Sequence, residues 1–115
     1  YTHAQGILPL RQAIAKDLVA QGGHAYAPGQ IVVTPGAQQA LFTVALGLLD
    51  PGDEMLAACP GYHPYHQAAE LAGAKVVDIR TTMATNFTLT AEMVEAHVTP
   101  KTKVVVVINP SNPTG

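Results

Sequence analysis

The stretch VVVVINPSNPTG, residues 104–115, joins five consecutive β-branched residues to a run of turn formers. The five show no polar alternation, so neither face of the strand they predict suits water. Both faces ask for cover, as in a parallel sheet packed with helices on either side. The expectation is a central strand over residues 104–108. In open α/β sheets the loops at the carboxyl ends of strands hold ligands, so residues 109–115 form a candidate binding loop. The chain stops on that loop and begins at Tyr1 rather than methionine. Both ends therefore suggest a segment of a longer protein.

Working back from this strand, the same alternation of elements recurs. Residues 9–21 place Leu10, Ile14 and Leu18 four apart, with Arg11, Lys16 and Asp17 off that stripe and Gly22-Gly23 behind it, which predicts an amphipathic helix. A short strand is expected at 31–33, a helix at 36–49 ended by Asp50-Pro51-Gly52-Asp53, and a strand at 55–59. Pro64 suits the first turn of a helix running to Ala72 and closed by Gly73. A strand follows at 75–79, then a polar connection over 80–89. Thr90 is placed to cap a short helix reaching His97. Strand and helix in alternation give an α/β fold, part of a largely parallel sheet flanked by helices.

Composition bounds the function. The chain has 115 residues, about one domain, and its 48% apolar content can build a core. Only 12% of residues are charged, about half the usual share, so part of the surface is expected to be covered. A net charge of −2 without a basic cluster implies no nucleic-acid partner. No apolar run approaches the roughly 20 residues of a membrane span, and no signal-peptide pattern opens the chain. One cysteine, Cys59, excludes an intrachain disulfide and fits the reducing cytoplasm.

Three loops carry candidate chemistry. VTPGAQQALF, residues 33–42, sets Gly36, Ala37 and Gln38 at the start of a helix, where free backbone N–H groups and the positive end of the dipole can receive an anion. A glycine there also serves an ordinary strand-to-helix turn. In CPGYHPY, residues 59–65, Tyr62 can cover a planar ligand or serve as a core or helix-cap tyrosine. His63 and His66 share a helical spacing, but two histidines without a third ligand do not make a metal site. Asn112 in NPSNPTG offers an amide donor and acceptor in a proline-stiffened loop, or a simple turn asparagine. All three loops are expected at one edge of the sheet.

YTHAQGILPLRQAIA, VTPGAQQALF, LDPGDE, CPGYHPY, TPKTKVVVV and NPSNPTG together resemble, in order and spacing, the class I and II aminotransferases, pyridoxal-phosphate enzymes of fold type I. The resemblance runs over the whole chain and implies the N-terminal part, residues 1–115, of the large cofactor-binding domain. It implies that Gly36, Ala37 and Gln38 receive the cofactor phosphate, that Tyr62 stacks on the pyridine ring, and that Asn112 hydrogen-bonds the phenolic oxygen and helps set the acidity of the Schiff base. Tyr1 matches a tyrosine that reaches the neighbouring subunit's cofactor phosphate, which implies a homodimer. His63 stands where proline is common, and Leu8-Pro9 displaces a proline by one place.

The resemblance also implies what is missing. The family's Schiff-base lysine, the aspartate facing the pyridine nitrogen, the arginine that grips the substrate carboxylate and the small domain have no counterpart in these residues. No catalytic residue is therefore assigned to the segment, and Lys16, Lys75, Lys101 and Lys103 all stand away from the candidate loops. The implied activity is amino-group transfer between an amino acid and a 2-oxo acid. The same motifs also serve β-eliminating carbon–sulfur lyases and the aminotransferase-like effector domains of transcription regulators. Redirecting the chain sharply at the binding loops further predicts cis peptides at Asn112-Pro113 and Cys59-Pro60, since X–Pro bonds adopt cis at the smallest cost.

Overall fold

A computed structural model describes residues 2–115; the role implied for Tyr1 falls outside the described residues. Two compact units divide the chain, Tyr1–Ala40 and Leu41–Gly115.

Within the first unit, α1 spans Leu8–Ala20, with Pro9 in its first turn where a missing N–H costs nothing. The helix lies one residue earlier than the pattern suggests, and its buried face differs. Arg11, expected away from the apolar stripe, is only 8% exposed, while Leu10 is 42% exposed. The burial is satisfied by hydrogen bonds: Arg11 Nε donates to the Gly6 carbonyl at 3.1 Å and Nη1 to the Pro28 carbonyl at 2.8 Å. A buried guanidinium needs such acceptors, and they come from loops whose course periodicity does not reveal. Residues 31–33, expected as a strand, belong to none. Their backbone has two ties, the Val33 amide donating to Gln5 at 2.9 Å and the Ile31 amide to Pro28 at 3.4 Å, neither part of a ladder, and Val32 is exposed. High β-propensity makes a strand only where a neighbour supplies a ladder.

The second unit holds most of α2, which spans Ala37–Leu48, and a three-stranded parallel sheet. In chain order come β1 (Glu54–Cys59), α3 (Pro64–Leu71), β2 (Lys75–Arg80), α4 (Ala91–Glu95) and β3 (Thr102–Val105). The spatial order is β2-β1-β3. Glu54 lies opposite both Lys75 and Thr102, and Leu56 opposite both Val77 and Val105. The α/β expectation is met. Among the described residues, however, the strand with a neighbour on each side is β1, where Met55 and Leu56 are sealed from solvent, and β3, at the start of the run expected to be central, stands at the edge.

That run divides. Val104 and Val105 pair within β3, the Val106 amide reaches the Leu56 carbonyl at 2.9 Å, and the ladder then ends, with Val107 75% exposed. Among the described residues no strand pairs with the far edge of β3. Lack of polar alternation states that a strand wants cover on both faces; it does not state where in a sheet the strand sits.

The core gathers Ala45 and Leu49, Met55 of β1, and Ala68 and Ala69 of α3. Small residues, Ala45 on α2 and Ala68 and Ala69 on α3, meet Met55 of the central strand in this cluster. Because β1 supplies hydrogen bonds to both neighbours and side chains to the core, its centre should be the most sensitive position. Leu56→Ala is expected to cost roughly 2–5 kcal/mol, measured as a lowered urea midpoint with an unchanged slope.

Candidate functional site

At the carboxyl ends of β1 and β3 lies a cavity of about 510 Å³. Ala57 and Ala58 of β1 and Val106 line it from the strands, and the loop through Pro60, Gly61 and Tyr62 lines one side. Gly61 cannot be replaced without moving backbone, since a Cβ there would lie 2.3 Å from the Ala58 carbonyl oxygen. This close return sets Tyr62 immediately ahead of α3.

Tyr62 is 36% exposed, and its ring meets the ring of Tyr65 edge to face, with centroids 5.8 Å apart and planes at 81°. Tyr65 is half-buried, packs against the core cluster, and also lines the cavity. Burial first, and the neighbouring Tyr62 second, raise the Tyr65 phenol above its ordinary pKa. Asn112 lines the same cavity from the terminal loop, exposed and with no side-chain hydrogen bond among the described residues. The loop is tied behind it by Gly115 N–H to the Ser111 carbonyl at 2.8 Å and by the Thr114 hydroxyl donating to Ser111 Oγ at 3.0 Å. Cys59-Pro60 and Asn112-Pro113, the two bonds expected to be cis, are cis, and Asn109-Pro110 is cis as well.

Gly36, Ala37 and Gln38 open α2 and are exposed. Gly36 takes φ +92°, a conformation that favours glycine, and its carbonyl accepts from Thr34 Oγ1 at 2.9 Å and from the Ala40 amide at 3.4 Å. The Ala37 and Gln38 amides have no acceptor among the described residues. Two of the first orphan donors of a helix thus face solvent.

The third wall was not anticipated. Residues 86–91, read from the sequence as polar connection and cap, contribute together with Val94 of α4. Asn86 and Phe87 take φ +48° and +53°, held by the Asn86 amide to Met83 at 3.1 Å and the Phe87 amide to Thr82 at 2.9 Å. Asparagine tolerates this region, but a bulky aromatic rarely does. The available signal was Phe87 and Leu89, two apolar residues in an otherwise polar stretch. Thr90 caps α4 as expected, its hydroxyl accepting from the Met93 amide at 3.3 Å.

His63 and His66 do share a helical face, their rings stacked with centroids 5.5 Å apart. His66 Nε2 is taken by Asp78 Oδ1 of β2 at 2.9 Å, a partner that the sequence did not suggest. Among the described residues no group of three or more His, Cys, Asp or Glu is placed to hold a metal, and no helix is long and apolar enough to cross a membrane. Lys75 opens β2 and Lys103 lies in β3; neither these nor Lys16 and Lys101 line the cavity.

What the site can accept follows from its walls. An exposed aromatic face, a free side-chain amide and apolar flanks suit a planar, partly polar ring, and 510 Å³ lies within the range of small-molecule sites. The pyridine ring and phenolic oxygen of pyridoxal phosphate fit Tyr62 and Asn112. In the first unit, the exposed amides of Ala37 and Gln38, unpaired among the described residues, can by themselves receive an anion such as a phosphate.

Comparisons with known proteins bear on this directly. The family described as "Aminotransferase class I and II" matches residues 1–115. An aspartate aminotransferase of Thermotoga maritima is 43% identical over the whole chain, which covers 30% of that protein. An aspartate/prephenate aminotransferase of Cereibacter sphaeroides is 38% identical, again over the whole chain and 29% of its own length. Among solved structures, a Thermus thermophilus aspartate aminotransferase mutant superposes with a TM-score of 0.96 at 37% identity, over 100% of this chain and 30% of that one. The Thermotoga maritima aspartate aminotransferase gives 0.95 at 43% identity, over 100% and 31%. The chain thus spans about 30% of the length of the relatives it matches.

In the first turn of α4, Glu92 offers a test of the helix cap. A hydrogen bond from its own backbone amide first, and the Thr90 hydroxyl second, hold its carboxyl below the ordinary value. A depressed carboxylate contributes above its unfolded pKa and loses that contribution as pH falls through the folded value. Thr90→Ala should move the Glu92 titration up toward the ordinary value in an NMR pH series. Loss of the cap should also cost about 1 kcal/mol of stability.

Proposed function

Because the chain belongs to the class I and II aminotransferases, a pyridoxal-phosphate-dependent family, we propose that residues 1–115 are the N-terminal part of the cofactor-binding large domain of a longer aminotransferase. The observation that carries this reading is the meeting of Tyr62 and Asn112 on one cavity at the carboxyl ends of the strands. Two residues 50 positions apart, named from unrelated loops, bring to one cavity an aromatic face and a free amide, the two kinds of group that suit the cofactor ring.

In this reading Tyr62 covers one face of the ring and excludes water from it. Asn112 donates its amide to the phenolic oxygen, and the Ala37 and Gln38 amides, with Gly36 allowing close approach, hold the phosphate. When bound, pyridoxal phosphate supplies an electron sink for charge that develops at the substrate α-carbon. The residues of this segment bind and orient; they do not transfer the proton. The Schiff-base lysine, the substrate-binding arginine and the small domain belong to the remainder of the protein. The reading includes a homodimer, as the resemblance implies, and a cytoplasmic setting, in keeping with the lone Cys59.

The reaction is amino-group transfer from an amino acid to a 2-oxo acid. The relatives' names make aspartate the first substrate to try. The full-length protein should retain pyridoxal phosphate and transaminate aspartate with a 2-oxo acid acceptor. Tyr62→Ala should weaken cofactor retention by about 1 kcal/mol, the scale of one aromatic contact, as read by equilibrium dialysis, with the fold intact. Unchanged affinity would remove Tyr62 from the site.

A further inference from the structure

Tyr62 has a task that an exposed side chain performs poorly alone. To cover a ring it must present one face in one orientation, yet it stands on a tight turn and is more than a third exposed. Little backbone constraint reaches its ring, since the turn fixes the chain and leaves the side-chain rotamer to whatever touches it. The contact the structure provides is Tyr65, three residues on in the first turn of α3.

Tyr65 is suited to this by its own anchoring. Its ring packs against the cluster of Ala45, Leu49, Met55, Ala68 and Ala69, so the core restrains it. Its backbone amide donates to the Tyr62 carbonyl at 3.3 Å, which ties the two residues as one local unit. The rings meet at 81° with centroids 5.8 Å apart, an edge-to-face arrangement that aromatic quadrupoles favour. Helix α3 is in turn tied to β2 by His66 Nε2 and Asp78 Oδ1 at 2.9 Å. A chain of contacts thus runs from the buried sheet through Tyr65 to the ring that borders the cavity.

Resting on the reading of this cavity as the pyridoxal-phosphate site, we propose that Tyr65 is a positioning residue: its core-anchored ring holds Tyr62 in the orientation that covers the cofactor. Tyr65 acts through Tyr62 and not on the substrate. The raised phenol of Tyr65 agrees with a neutral ring at working pH that offers shape and quadrupole and no charge. The ring rather than the hydroxyl should therefore matter.

The test is a double-mutant cycle in the full-length protein, read as pyridoxal-phosphate affinity by equilibrium dialysis and as the near-ultraviolet circular dichroism of the bound cofactor. Tyr65→Phe should match the wild type in both. Tyr65→Leu, which keeps apolar packing and loses the aromatic edge, should weaken affinity roughly two- to tenfold, the span of one aromatic pair, and reduce the dichroic band. In a Tyr62→Ala background the same Tyr65→Leu change should have no further effect. Tyr65→Met, a flexible filler of similar bulk, replaces leucine in the cycle if leucine fails to fold. The proposal is overturned if Tyr65→Leu leaves affinity unchanged, if it costs the same with and without Tyr62, or if Tyr65→Phe loses as much as leucine. Failure of the wild-type protein to retain the cofactor would instead overturn the reading of the site itself.

Discussion

Two parallel ladders on one strand hold the second unit together. Because β1 pairs with β2 and β3 in the same direction, Glu54 faces both Lys75 and Thr102 at one end, and the loops after Cys59 and Val105 emerge at the other. Parallel pairing requires crossovers, and those crossovers put α3 and α4 where their first turns border the same opening. A cavity at the carboxyl edge is therefore a consequence of strand direction. The side chains that line it, Tyr62 from one loop and Asn112 from another, meet because the sheet leaves their loops no other place to go.

Much of this was legible from residues 104–115 outward. The apolar run, the proline-rich loop and the regular return of strand and helix fixed the α/β class, and Pro64, Thr90 and Gly73 marked helix ends close to their observed places. Tyr62 and Asn112 could be named because each follows a predicted strand. The failures share a physical cause. Arg11 is buried because two loop carbonyls, that of Gly6 just ahead of α1 and that of Pro28 beyond it, accept from it, residues 31–33 lack a ladder, and the run after Lys103 leaves the sheet after Val106. Each depends on contacts outside its own element, to which local periodicity is blind.

The cavity's third wall teaches the same lesson at the site. Residues 86–91 read as a polar link, yet the turn with positive φ at Asn86 and Phe87 folds that link over the opening. His66 is a parallel case. Its spacing from His63 did not amount to a metal site, and the structure gives its Nε2 to Asp78, a partner that the spacing does not reveal. His66 here joins a helix to a strand, while the neighbouring aromatics and amide line the cavity.

The central claim is that Tyr62 and Asn112 jointly receive the ring of pyridoxal phosphate, and a crystal structure of the full-length protein with the cofactor bound tests it most directly. The account predicts a pyridine ring facing Tyr62 with centroids roughly 4.5–7 Å apart, and the Asn112 amide within hydrogen-bonding distance of the phenolic oxygen, about 2.7–3.2 Å. A cofactor bound elsewhere, with Tyr62 uncovered and the Asn112 amide turned to solvent, would contradict it.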